Sequence, residues 1–432
     1  MTTNRRGAQL LMATCAALIE AIGQHMPACP YRDYVTWAFS ARNPRQREFL
    51  QATGVLQLIN LNTTVLSGLF EDDDWPALLL LTGRMNAYQV LEVISDNLAL
   101  GLGGPALDEA AAQRRALVSS VNRAMIEALV PGRSTPAILL LAGYAQQAAQ
   151  SASMFSQSLV ATKHAEFARD YAHHLSSQGR PVPNPGELEF GVWPSLVANV
   201  EVCRELAGAL DGTATEGLLR QGLTDRYRSV ERTLFAEHLS RLELGALGAQ
   251  TILVGPTLAY FLGMLLEKLK PAKAYPAAVS DGSLSEVLTD ASLLVRLQND
   301  IGTRLLQLAP VQQAAQLRRL DDSGDLFQAL ASNDEVMFSR LQKDVRNTES
   351  NVALWHPRRA ATMAEAWTAF AESLNYYAGM YAYHSECLAR GLAELDNRLG
   401  DRRASAVIER LVRFHERMYS HPHAESIGEY AI

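Results

Sequence analysis

Apolar residues recur at intervals of three and four along nearly all of this 432-residue chain, the period of an α-helix that buries one face. The pattern runs through 9–24, 47–70, 76–100, 107–129, 136–177, 194–210 and 223–243, then 246–269, 284–308, 311–331, 333–346, 360–397 and 404–419. Alternating β-branched runs bounded by turns, which strands require, are absent. The fold class is therefore all-α, a bundle with either a central cavity or a tightly packed interior. Breaks fall at Gly101-Leu-Gly-Gly-Pro105, Pro131-Gly132, Gly179 to Gly186, Pro271 to Pro276 and Pro357, where Gly and Pro interrupt the period. Gly101-Leu-Gly-Gly104 follows a helix and reads as a turn, not a phosphate cradle.

With 48% hydrophobic and 20% charged residues the chain is ordinary globular material. Its formal charge of −7 gives no basic field, so nucleic acid is not an expected partner. Four scattered cysteines without a CxxC pair argue against a zinc site or disulfide framework and for a reducing compartment. The N-terminal stretch Ala8 to Ile22 resembles a signal peptide only loosely, because Glu20 interrupts it and no small-residue cleavage site follows. No run reaches the roughly 18 consecutive apolar residues of a membrane span. A cytoplasmic protein without a membrane span is expected, and a homodimer is left open.

The segment Leu293 to Leu308 carries Asn299, Thr303 and Gln307 at four-residue steps within an apolar helical run. On one continuous helix these three neutral oxygen-bearing side chains would stack on a single face over ~12 Å. Burying polar groups is costly without partners. A helix–helix hydrogen-bond seam, a solvent-facing stripe or a hard cation such as Mg²⁺ would each account for the row.

The pattern Asn-Asp-x-x-Thr-x-x-x-Gln resembles the second metal motif of class I terpene synthases, NDxxSxxxE, with Thr an accepted variant and Gln a departure. Upstream, Leu234-Phe-Ala-Glu-His-Leu-Ser-Arg-Leu-Glu-Leu-Gly-Ala-Leu-Gly248 is similar to that family's eYlxlRxxxxG segment. The resemblance implies that Arg241 senses diphosphate and that Gly245 and Gly248 permit the following helix to break. Asn351-Val-Ala-Leu-Trp355 resembles the stretch that opens the helix after the metal helix. The implied fold is a single domain, 1–432, of the class I terpenoid-synthase type with a central apolar cavity, carrying insertions near 131–190 and 309–333.

The family also has an acidic motif, for which two segments compete. Glu71-Asp-Asp-Asp74 is the acidic cluster of the N-terminal half, yet acids before Pro76 also make an ordinary helix start. Ile94-Ser-Asp-Asn97 ends an apolar helix as the family motif does, so Asp96 and Asn97 are preferred by their order in the chain; an Asp–Asn pair could equally cap that helix end. The resemblance then implies three Mg²⁺ ions arriving with a prenyl diphosphate, held by Asp96, Asn97, Asn299, Thr303 and Gln307. Arg241 would bind the diphosphate, which is ionised so that the carbocation cyclises in the apolar cavity. With Gln307 for Glu and Asn97 for Asp, such a site has little negative charge of its own. Altered ionisation chemistry, or binding of prenyl compounds without cyclisation, follows naturally from that deficit.

One alternative is a heme-oxygenase-like metal-dependent oxidase using His164, Glu166, Asp170, His173 and His174, with Glu237, His238, His384 and Glu386 in reserve. Asp170 and His174 share a helix face, but no Glu-x-x-His spacing occurs among these residues, which favours a solvated polar face. The other alternative is a non-catalytic helical ligand-binding protein.

Overall fold

The computed structural model describes residues 3–105, 108–146, 159–184, 187–188, 191–320 and 324–421. Every regular element among them is helical, and no strand occurs among the described residues. Contacts group the described residues into two compact units: unit 1 draws on 3–98 and 112–209, and unit 2 on 99–111 and 210–421.

Unit 1 is organised by α1 (Thr3–His25) and α5 (Trp75–Leu98), which pack on each other, with α4 (Val55–Leu66) and α9 (Val192–Gly208) alongside. α1 is long and apolar enough to cross a membrane by length and composition, and within unit 1 it buries Leu10, Leu18 and Ile22 against its neighbours. Asn86, on α5, accepts from Asn62 on α4 at 2.7 Å and donates to Thr14 on α1 at 3.0 Å. Full pairing is what allows these amides to sit in an apolar interior. A second seam joins α5 to α9, where Asn199 donates to Glu92 at 2.6 Å and to Ser95 at 2.9 Å. Aromatic rings from α2 (Pro30–Phe39), α3 (Gln46–Ala52) and α8 (Leu159–Ser177) meet edge to face, Phe39 on Phe49 at 5.0 Å and Phe49 on Phe167 at 5.1 Å.

Unit 2 is built around α14 (Ser283–Ile301), twelve of whose nineteen residues are buried, as expected of a helix enclosed on several sides. It packs against α11 (Arg241–Thr251), α12 (Val254–Gly263), α18 (Ser339–Arg346), α19 (Met363–Leu399) and α20 (Arg403–Met418). Ser240 caps α11 and Thr362 caps the long α19, each in a reciprocal box with the Glu three residues on. The apolar period over 284–308 predicts one helix, but the chain breaks at Gly302, whose φ of 94° is easily reached only by glycine. The short α15 (Thr303–Leu306) follows. The described residues of 309–333 form α16 (Pro310–Leu320) and α17 (Leu326–Ser332). Gly103 makes a close approach within the glycine turn: its N–H donates to Thr348 O at 2.9 Å, and a Cβ there would stand 2.5 Å from the Glu349 carbonyl.

Candidate functional site

The break at Gly302 removes the premise of a single polar stripe. α14 ends at Ile301, so the carbonyls of its last turn lack helical partners. Arg340 Nε donates to Asn299 O at 2.8 Å, and Asn351 Nδ2 donates to Asp300 O at 2.7 Å. A guanidinium at this position also suits the negative end of the helix dipole. Arg340 reaches further, its Nη2 donating to Asn299 Oδ1, while its guanidinium lies 4.7 Å from the Tyr419 ring.

Around this helix end lies a buried ionic network. Arg296 donates through Nε to Asp300 Oδ2 at 3.0 Å and Val352 N donates to the same oxygen at 2.9 Å. Asn351 Nδ2 also reaches Asp344 Oδ2 at 2.7 Å, and its Oδ1 accepts from Ala353 N at 2.8 Å and Leu354 N at 3.2 Å. Lys343 Nζ is 2.6 Å from Glu349 and 3.4 Å from Asp344 Oδ1, the latter an attraction without hydrogen-bond alignment. Arg358 donates to Asp344 O at 2.9 Å and to Glu349 O. Burial pushes the Asp300 carboxyl upward, and Asp344 adds to it, against the pull of Arg296.

Thr303 and Gln307 point elsewhere. The Thr303 hydroxyl donates to Glu416 O at 2.9 Å, and the exposed Gln307 amide donates to Glu416 Oε1 at 2.9 Å. Both therefore tie α15 to α20, whereas Asn299 belongs to Arg340. The pair Asp96 and Asn97 falls in unit 1, with Asp96 exposed. Asn97 contributes to the wall of a cavity of about 100 Å³ whose other walls include Ile22, Phe39, Phe49, Leu91 and Phe167. The rival acids Asp72–Asp74 form a single turn in a capping box with Glu71, and Asp72 pairs with Arg6 at 2.7 Å.

Asn299, Thr303 and Gln307 do not present one Mg²⁺ face: the Asn299 oxygen accepts from Arg340, while Thr303 and Gln307 lean on Glu416. No group of three or more His, Cys, Asp or Glu side chains able to hold a metal occurs among the described residues. Part of the oxidase ligand set has other partners. Arg45 takes up Glu166 at 3.2 Å and Asp170 at 3.1 Å, and His174 stacks on Trp37 at 5.6 Å. The His164 side chain lies outside the described residues.

Arg241 opens α11, donating to Ser373 Oγ at 3.2 Å and pairing with the exposed Glu372 at 2.8 Å. The helical path does bend after it, by 45°, between Thr251 and Val254. The bend is not at the expected glycines. Gly245 lies against Met380 Sδ, where a Cβ would be 3.1 Å away, and Gly248 lies against Arg296 and Val352; both allow close packing rather than a break.

Beside the start of α11 is a concavity of about 350 Å³, lined by Glu237, His238, Ser240, Trp355, His356 and Arg359 among others. The Arg359 guanidinium stacks 3.5 Å from the Trp355 ring. His356 bonds Leu239 O at 3.0 Å through Nε2, and burial, then the nearby Arg241 charge, hold its pKa below the usual imidazole value. The Arg359 charge acts in the same direction. Comparison of the chain with family models, curated proteins and solved structures finds no match.

Sequence patterning overlooked Arg296, Arg340, Asp344 and Arg358. Arg296 was recoverable, since it stands four residues before Asp300 on one helix face. Arg340 was not, because its partner lies 41 residues away.

Proposed function

We propose that unit 2 is a terpenoid-synthase-type helical bundle that binds a prenyl diphosphate through arginines, without Mg²⁺ and without ionising it. The observation that carries this reading is the concavity at the start of α11, whose wall brings Arg359 and His356 to Ser240, the residue before Arg241, with Glu237 and Glu243 also on the wall. Arginine suits phosphate because its planar fork donates two parallel charge-assisted hydrogen bonds. Glu372, which now pairs with Arg241, is 60% exposed, so that pairing is weak and a diphosphate can displace it. Arg340 on Asn299 supports metal independence, since the helix terminus already has its cation.

Equilibrium dialysis with geranyl and farnesyl diphosphate, in Mg²⁺ and in EDTA, tests the proposal. Equal binding in both, without released inorganic diphosphate, is the expected result. Arg241→Ala or Arg359→Ala should weaken binding about tenfold, the value of roughly one charge-assisted hydrogen bond. Absence of binding would overturn it. A second reading, Mg²⁺-dependent cyclisation, is favoured by the 45° bend after Arg241. Cyclic product with Mg²⁺ that disappears in EDTA would establish that reading instead.

A further inference from the structure

A second concavity in unit 2, about 490 Å³, lies between α14 and α19. On its wall His384 Nδ1 meets Asp290 Oδ1 at 2.7 Å. Since a carboxylate only accepts, the ring's proton sits on Nδ1 and the Nε2 lone pair is left as a base. Cys387 follows three residues later, on the same face of α19, and also lines the concavity. Arg390 Nη2 donates to its Sγ at 3.4 Å, and a hydrogen bond with Cys387 raises the pKa of the Tyr383 hydroxyl. Gly391 lets the two helices approach, for a Cβ there would stand 2.8 Å from Val287 Cγ2. The other charged side chains around the concavity are Glu286, Glu394 and Arg398.

An oriented imidazole base, a thiol on the wall of the same concavity and a guanidinium on the sulfur are the parts of a nucleophilic cysteine site. We propose that Cys387 is a nucleophilic thiol that takes alkyl or acyl groups from small electrophiles, with His384 as its base and Asp290 positioning that base. In the step, the Sγ proton passes through solvent in the concavity to His384 Nε2 and the sulfur electron pair forms a bond to the electrophilic carbon. The bond to the leaving group breaks at the same carbon, and the group departs with that electron pair. With iodoacetamide the products are carboxamidomethyl-Cys387 and iodide.

The test is the rate of iodoacetamide alkylation at each cysteine of the full chain, followed by peptide mass spectrometry from pH 5 to 9. Cys29, also partly exposed, is the internal control, and Cys15 and Cys203 are buried. Cys387 should react at least tenfold faster than Cys29 at pH 7. His384→Gln should remove that advantage and leave the Cys29 rate unchanged. Asp290→Asn should lower the rate as well, with Asp290→Glu restoring part of it. The wild-type comparison needs no variant to fold. Equal rates at Cys387 and Cys29, or a Cys387 rate indifferent to His384→Gln, would overturn the proposal.

Discussion

Asn351 makes the sharpest test of how unit 2 is held together. It is 2% exposed, and its side chain makes four hydrogen bonds: to Asp300 O, to Asp344 Oδ2, and from Ala353 N and Leu354 N. Asn351→Ala removes all of them and leaves a carboxylate, a helix-end carbonyl and two amides short of partners. At about 1 kcal/mol for each neutral bond and about 2 kcal/mol for the one to carboxylate, the loss sums to about 5 kcal/mol. Water entering the vacated space would recover some, so about 4 kcal/mol is expected. Asn351→Asp keeps the oxygen that the two amides need but sets a second carboxylate where Asp344 now meets a donor at 2.7 Å. At pH 7 it should be worse than the alanine variant, and the gap should close on acidification. Urea unfolding followed by tryptophan fluorescence reads both, with Trp355 in the same turn. A loss below about 1 kcal/mol for Asn351→Ala, or an aspartate variant milder than alanine at pH 7, would refute the reasoning.

Three further outcomes follow from the same geometry. Gly103→Ala should cost about 2–3 kcal/mol, read by urea unfolding, because its Cβ would meet the Glu349 backbone at 2.5 Å, which cannot rotate away. Arg340→Met should cost about 3–5 kcal/mol by breaking the buried charge arrangement and exposing the end of α14, and calorimetric titration should find no Mg²⁺ site before or after the change. His415 donates from Nδ1 to Leu411 O at 2.8 Å, and burial holds its pKa at about 4 against an ordinary 6.5. The neutral ring then contributes stability that is full above pH 6.5 and is lost as pH falls towards 4. At most about 3 kcal/mol is involved, at 1.36 kcal/mol per tenfold change. His415→Gln should flatten that limb of the stability–pH curve.

The helical period by itself determined that this chain is all-α, because a 3.6-residue repeat can bury its apolar stripe only as helix. Local residues also set several boundaries: Ser240 with Glu243 and Thr362 with Glu365 are capping boxes that can be read directly from their spacing. Gly302 was visible too, inside the very motif that appeared to need an unbroken helix, but its backbone angle became decisive only where α14 meets its neighbours. Tertiary structure alone decided what the polar residues do. Asn299, Thr303 and Gln307 follow one another in sequence, yet Arg340 claims the first while Glu416 claims the other two. Those partners arrive from 41 and more than a hundred residues away. A hydrogen bond is satisfied by whichever group the folded chain brings within about 3 Å, and spacing along one segment carries no record of which group that will be.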